Sequence, residues 1–271
     1  MLFFCENACD RARLLAVRSK HAGQWLTVDL TRHNTLSPDA FGVAVRVRLG
    51  LELANATPTR CGLCLKQVNA KTNPDHYLSC GKASKQYTRR HNTVLTCMER
   101  CLKRFDAVKN SIRIDPPNGG VTKKQTRIDL EVATLNGVYI FDVNVPHPCS
   151  KSYVKHTAAD GNWLIHKMES RKHHKHVGMA VKNGFIFHPV VCETFGATGD
   201  RTEHFFTLIA RLARQQNPHD IDAAKHAVKI ARQEMAVAIQ NGVAHHVEHM
   251  FHQSLPRHNA ASRQPREFRS F

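Results

Sequence analysis

"TRIDLEVATLNGVYIFDVNVP", residues 126–146, decides the fold. Two runs rich in β-branched and aromatic residues flank Asn136-Gly137, a dipeptide suited to a two-residue hairpin turn. With that turn, Glu131 faces Asp142 and Asp129 faces Asn144. Side chains alternate along a strand, so these four polar residues share one face. Ile128, Leu130 and Val132 pair with Val145, Val143 and Phe141 on the other. Directly opposed side chains lie roughly 5 Å apart and diagonal ones about 7–8 Å, so Asp129 and Asp142 could grip one divalent ion. Three carboxylates on one face repel one another unless cations sit among them. The candidate ions are Mg²⁺ and Mn²⁺, which prefer oxygen ligands.

The rest of the chain reads as short α/β units. "NSIRI" (110–114) is a strand before the hairpin, stopped by Pro116-Pro117 and Gly119-Gly120. A helix is expected from Asn92, as its N-cap, to about Val108, because Val94, Leu95, Met98, Cys101, Leu102, Phe105 and Val108 recur at helical spacing. Further helices are expected over about 160–181, capped by Asp160, over 202–215 and over 221–252, with a buried strand at 184–191. Residues 40–53 are read as helix because of their length, although Arg46 and Arg48 alternate with apolar residues. From residue 92 the order is helix, three-strand meander, helix, strand, helix: an α/β core closed by a crossover connection.

Upstream, "CGLC" (61–64) is followed by "HYLSC" (76–80). Cys61, Cys64, His76 and Cys80 make a compact set of soft ligands with the spacing of a structural zinc knuckle. Four protein ligands leave no open position, so the site is structural. Cys97 and Cys101, one helical turn apart, read as core residues, and Cys5 and Cys9 as ordinary thiols. Nine cysteines, an odd number, read as reduced thiols of the nucleus or cytoplasm.

The chain of 271 residues carries 39 Lys and Arg against 22 Asp and Glu, a net charge of +17. That excess points to a polyanionic partner, nucleic acid first, with DNA ahead of RNA. A membrane surface is the runner-up, for which the chain lacks a basic amphipathic helix with a bulky aromatic face. No apolar run approaches the roughly 18 residues of a spanning helix. Lys82, Lys85, Arg89, Arg90 and His91, in "GKASKQYTRRHN", follow the knuckle and are the expected nucleic-acid contacts. His91 has three readings at the helix start: a phosphate contact, a cap, or a support for the knuckle. Glu99 is expected on the surface, while Glu193 and Thr194 close the core after the last strand.

The knuckle, "RHN" at the head of a helix, "RID" and "FDVNV", a basic helix and "VCETFGATG" together resemble a known family. They are similar to the restriction-enzyme-like endonuclease region that ends the polyproteins of site-specific non-LTR retrotransposons, a branch of the PD-(D/E)XK nuclease superfamily. The resemblance covers about residues 40–245 and is most specific over 61–195. It implies a restriction-endonuclease-like α/β core, metal-dependent nicking of DNA, and Asp129 and Asp142 as ligands of the catalytic ion. Ile128 stands where the family has proline, and Asn144 where the superfamily has its lysine. In the retroelement branch that lysine is displaced onto the next helix in a Lys-x2-Lys-Tyr pattern, matched here by Lys172 and Lys175 with His176 in place of the tyrosine.

The expected organisation is a helical segment over 1–60, the knuckle and a basic linker over 61–91, the nuclease domain over 92–215, a C-terminal helix over 216–253 and a disordered basic tail over 254–271. No Tyr-x-Asp-Asp is present, so the reading is a retroelement-derived endonuclease fragment without a reverse-transcriptase domain. The competing reading is a decayed zinc-knuckle module that binds nucleic acid without cutting it.

Overall fold

The computed structural model describes residues 7–29, 35–53, 60–68, 75–115 and 128–254. The expected tail beyond 254 and the Pro-Pro and Gly-Gly stops at 116–120 lie outside them. The protein is mixed α/β. A four-stranded sheet runs in the order β1 (Ile112–Ile114), β2 (Leu130–Thr134), β3 (Gly137–Asn144), β4 (Phe185–Val191). The first three strands are antiparallel neighbours, and β4 joins β3 in parallel. Eight α-helices accompany the sheet among the described residues: α1 (Ala8–Arg18), α2 (Pro38–Leu49), α3 (His76–Ser79), α4 (Ser84–Leu102), α5 (Val154–Thr157), α6 (Trp163–Lys182), α7 (Glu203–Gln216) and α8 (Ala223–Ser254). No helix among them is long and apolar enough to cross a membrane.

The hairpin forms, but its turn is Leu135-Asn136 rather than Asn136-Gly137, because Thr134 pairs with Gly137. The Thr134 hydroxyl donates to the Gly137 carbonyl at 2.9 Å and accepts from the Asn136 N–H at 3.1 Å. Gly137, at φ 126°, takes a backbone angle that a side chain disfavours. The pairing moves by two residues, so the side chains within β2 and β3 keep their expected faces while their partners change. Glu131 now faces Ile140. Asp129, whose N–H donates to the Phe141 carbonyl at 3.2 Å, comes alongside Asp142. Ile128 precedes the strand and departs from its expected face, packing with Ile140, Ala180 and Phe187.

The sheet is the middle of three layers. Leu130, Val132, Phe141 and Val143 pack against Val94, Met98 and Leu102 of α4, Phe205 and Ile209 of α7, and Met235 and Ile239 of α8. Ile140 and Phe187 face α6 on the other side, through Ala180. The crossover from β3 to β4 therefore carries α6 over the face that bears the two aspartates.

Two helices end short of expectation, α2 at Leu49 instead of residue 53 and α4 at Leu102 instead of about Val108, and two helix starts differ as well. α4 starts at Ser84, so the segment read as a basic linker is helix and Asn92 lies inside it rather than capping it. Gln86 and Arg90 continue the buried stripe of Val94, Cys97, Met98 and Cys101, with no change of period to mark a boundary. α6 starts at Trp163, because Asp160 spends its side chain on the Asn162 N–H at 2.9 Å in a turn before the helix.

α8 is the spine. At 32 residues it is about 48 Å long. Successive stretches of it pack on α7 and the sheet, on Trp25 and Ala44, on Ala12 and Val47, and finally on the knuckle through Met250. A helix that meets neighbours on every side is buried nearly all round, so it shows little amphipathic contrast. Gly242 lets α4 come close: a Cβ there would lie 3.3 Å from the Arg90 Cα.

After β4 the chain turns through Gly196 (φ 96°) and buries Glu193 completely, as expected of a residue closing the core. Neither carboxylate oxygen of Glu193 has a hydrogen-bond partner, and burial pushes its pKa up to about 8. The folded state thus holds a proton that the unfolded chain releases near the ordinary value of 4.5, and stability should fall as pH rises from 4.5 to 8. Glu193→Gln should remove this loss: urea midpoints of the two proteins converge below pH 4.5, and the variant is the more stable at pH 8. Parallel pH profiles would show that Glu193 finds a partner.

Candidate metal centres

The knuckle is assembled from a tight turn and one helical turn. The Cys61 N–H donates to the Lys66 carbonyl and the Leu65 N–H to the Cys61 carbonyl, each at 2.9 Å, which curls Cys61 and Cys64 toward one point. His76 opens the four-residue α3 and Cys80 ends it, so both project from one turn. The four ligand atoms lie within 4.8 Å of one another. Cys61 Sγ is 3.8 Å from Cys80 Sγ, and Cys64 Sγ is 3.3 Å from His76 Nε2. A tetrahedron with Zn–S arms of about 2.3 Å and a Zn–N arm of about 2.0 Å has edges of roughly 3.5–3.8 Å, so the cluster fits. Burial, with Lys66, holds His76 below its ordinary pKa and therefore neutral, as a ligand must be. Burial pushes Cys80 up to about 12, a cost that thiolate coordination to a cation removes. The four residues could thus hold a metal such as zinc.

The knuckle is tied to the body at both ends. The Gly62 N–H donates to Ser254 Oγ at 2.9 Å, and a Cβ on Gly62 would fall 1.7 Å from the Gln253 carbonyl oxygen. Asp75, beside His76, is buried between Arg13 (Nη2 to Oδ2 2.5 Å) and His147 (Nε2 to Oδ1 3.2 Å), and His147 Nδ1 meets Thr194 Oγ1 at 2.7 Å. Two other groups gather ligand-type atoms, Asp75–His147–Cys149 and Cys97–Cys101–Glu234. Their acids are already neutralised, by Arg13 in the first and by Arg100 and Arg104 in the second. Hydrogen bonding and burial keep the Cys101 and Cys149 thiols protonated. Both groups are polar joints of the core.

The second centre lies between the hairpin and α6. Asp142 is 3 % exposed and Asp129 8 %. Asp129 Oδ2 accepts from the Val143 N–H at 2.6 Å and lies 2.8 Å from His91 Nε2, whose Nδ1 meets Asn92 Oδ1 at 3.0 Å. From α6, Lys172 Nζ donates to Asp142 Oδ1 at 2.6 Å and to the Val143 carbonyl at 3.1 Å. His176, one turn later and fully buried, places Nε2 2.6 Å from Asp142 Oδ2. Burial alone would raise the Asp142 pKa; the His176 ring against Oδ2 and the charge of Lys172 on Oδ1 outweigh it and hold the carboxyl well below the usual range. Asp129 conversely lifts His91 above its ordinary value despite burial. A close pair of carboxylates is the oxygen donor set that a hard cation takes. Here Lys172 already contributes one positive charge to it.

The sequence-derived residues divide accordingly. Asp129, Asp142 and Lys172 come together, whereas Lys175 is exposed and outside the cluster, its place on the sheet-facing side taken by His176. The i, i+4 spacing of Lys172 and His176 is the signal that points to this pair. Glu131 ion-pairs with Arg113 on β1 at 3.4 Å, and Glu99 with Lys103 at 2.6 Å. Lys82, Lys85 and Arg89 are exposed, as a nucleic-acid contact requires. Arg90 is not: it is buried, donates to the Val145 carbonyl at 2.7 Å, and is pushed down by burial to a pKa of about 10. His91 turns toward Asp129 from within α4, so the cap and knuckle-support readings fall away.

No protein-family model matches the chain, and no characterised protein is significantly similar to it. The site therefore has to be read from its chemistry. Metal analysis of the purified protein should find one tightly held zinc per chain, lost in the Cys61→Ser/Cys64→Ser variant with a lower melting temperature. Wild-type protein purified without metal, and equally stable, would overturn this.

Proposed function

We propose that the protein is a metal-dependent DNA endonuclease of the PD-(D/E)XK kind, a retroelement-derived fragment that nicks DNA, with zinc in the knuckle as a structural ion. The observation that carries the reading is the meeting of Asp129, Asp142 and Lys172 at one end of the hairpin. Asp129 and Asp142 are the residues that would hold Mg²⁺ or Mn²⁺, the ion that polarises a phosphoryl oxygen and acidifies a water when bound. His91 and the Val143 N–H fix the orientation of Asp129 through Oδ2. Lys172 supplies a cation beside the acids that can offset charge growing on the phosphoryl group in the transition state. Lys172 thus takes the role of the displaced lysine, on the residues' geometry rather than their order.

One observation favours the second reading, a module that binds without cutting: both oxygens of Asp142 already meet protein groups, Lys172 and His176. Plasmid nicking with Mn²⁺ separates the two. The nuclease reading expects nicking by the wild type, a loss of at least about a hundredfold in Asp142→Ala and in Lys172→Ala, and near-normal nicking by Lys175→Ala. Asp142→Ala should keep its DNA affinity or gain some, since it loses a negative charge. Undiminished nicking by Asp142→Ala would remove the metal site; no nicking by folded wild type would leave the binding module.

A further inference from the structure

The two sides of α6 do different work. One side puts Lys172 and His176 on Asp142. The other is exposed at His166, Lys167, Arg171, His174, Lys175 and Lys182. The only acid of the helix, Glu169, is buried and accepts from the Arg201 N–H at 2.9 Å. None of Lys167, Arg171, Lys175 and Lys182 makes an ion pair among the described residues, unlike Lys103, Lys109, Arg113 and Lys229, each of which has an acidic partner. An exposed helix face with only positive charge destabilises its own helix by like-charge repulsion at i, i+4, so a polyanion is the partner that relieves it.

We propose that this face of α6 is the track for a nucleic-acid backbone, and that Lys175 belongs to the track rather than to the chemistry. Lys167, Arg171 and Lys175 recur every four residues, which sets successive cations about 6 Å apart along the helix. Each strand of duplex DNA carries one phosphate for about every 3.4 Å of helix axis and winds around it, so a row of cations at this spacing has backbone phosphates within reach along its length. The row is held at one end, where Lys167 Nζ lies 4.3 Å over the ring of Trp163, itself stacked on His156 with centroids 4.3 Å apart. Arg171 and Lys175 flank Lys172 in sequence, so the row lies on the helix that covers the aspartate pair. The inference rests on the nuclease reading for the purpose of the track, while the binding itself does not.

Binding of a short DNA duplex, measured in EDTA so that no cleavage enters, tests it. Arg171→Ala/Lys175→Ala should weaken binding about tenfold and lower the slope of log affinity against log salt by about 1.8, for two phosphate contacts. Arg214→Ala/Lys225→Ala removes the same charge from exposed positions on α7 and α8 and should change affinity less than threefold. Equal losses in both variants would show a diffuse charge effect and overturn the track. So would an unchanged Arg171→Ala/Lys175→Ala variant alongside a Lys82→Ala/Lys85→Ala/Arg89→Ala variant that no longer binds. Displacement of the DNA by polyglutamate at equal charge concentration would overturn it in favour of an acidic protein partner. If the track variant loses affinity and the wild type never nicks, the track stands and the nuclease reading falls.

Discussion

Asp129 and Asp142 are buried side by side, and that arrangement governs the surroundings. Two carboxylates at such distance repel strongly in a medium that screens poorly. The fold answers with one group from each direction: His91 from α4 on one layer, Lys172 and His176 from α6 on the other, and the Val143 N–H from the strand between. The acids therefore pin three layers together as well as offering oxygen to a cation.

The knuckle and the hairpin are distant in sequence but joined through α8 and a buried polar relay. α8 packs on the sheet by its middle and on the knuckle by its end, where Gly62 admits the helix terminus. Arg13, Asp75, His147 and Thr194 run from α1 past the knuckle histidine to the loop after β4. Such a buried network of ion pairs and hydrogen bonds specifies one arrangement of these segments. The knuckle, whose four ligand-type residues could hold a metal, is accordingly clamped to the N-terminal helices and to the end of α8 by apolar contacts as well.

Much of this was present in the sequence by itself. The knuckle spacing, the alternation in β2 and β3, the buried run of β4 and the periodic face of α4 all depend on residues close together in the chain. Local periodicity therefore determined the elements and their order, and also that the two aspartates share a face, because a register change of two residues preserves it.

Only the tertiary structure decided which partners those faces meet. The Thr134 side chain, which no turn preference anticipates, closed the hairpin one residue early and brought Asp129 to Asp142. Arg90 read as a surface nucleic-acid contact because its charge favours water; a buried acceptor, the Val145 carbonyl, drew it inward on a helix that starts earlier. Whether Lys172 or Lys175 reaches the acids turned on how α6 rotates against the sheet, set by the packing of Ala180 and Met168. Spacing along a helix shows which residues share a side, but the side that is buried is chosen by contacts from elsewhere in the chain.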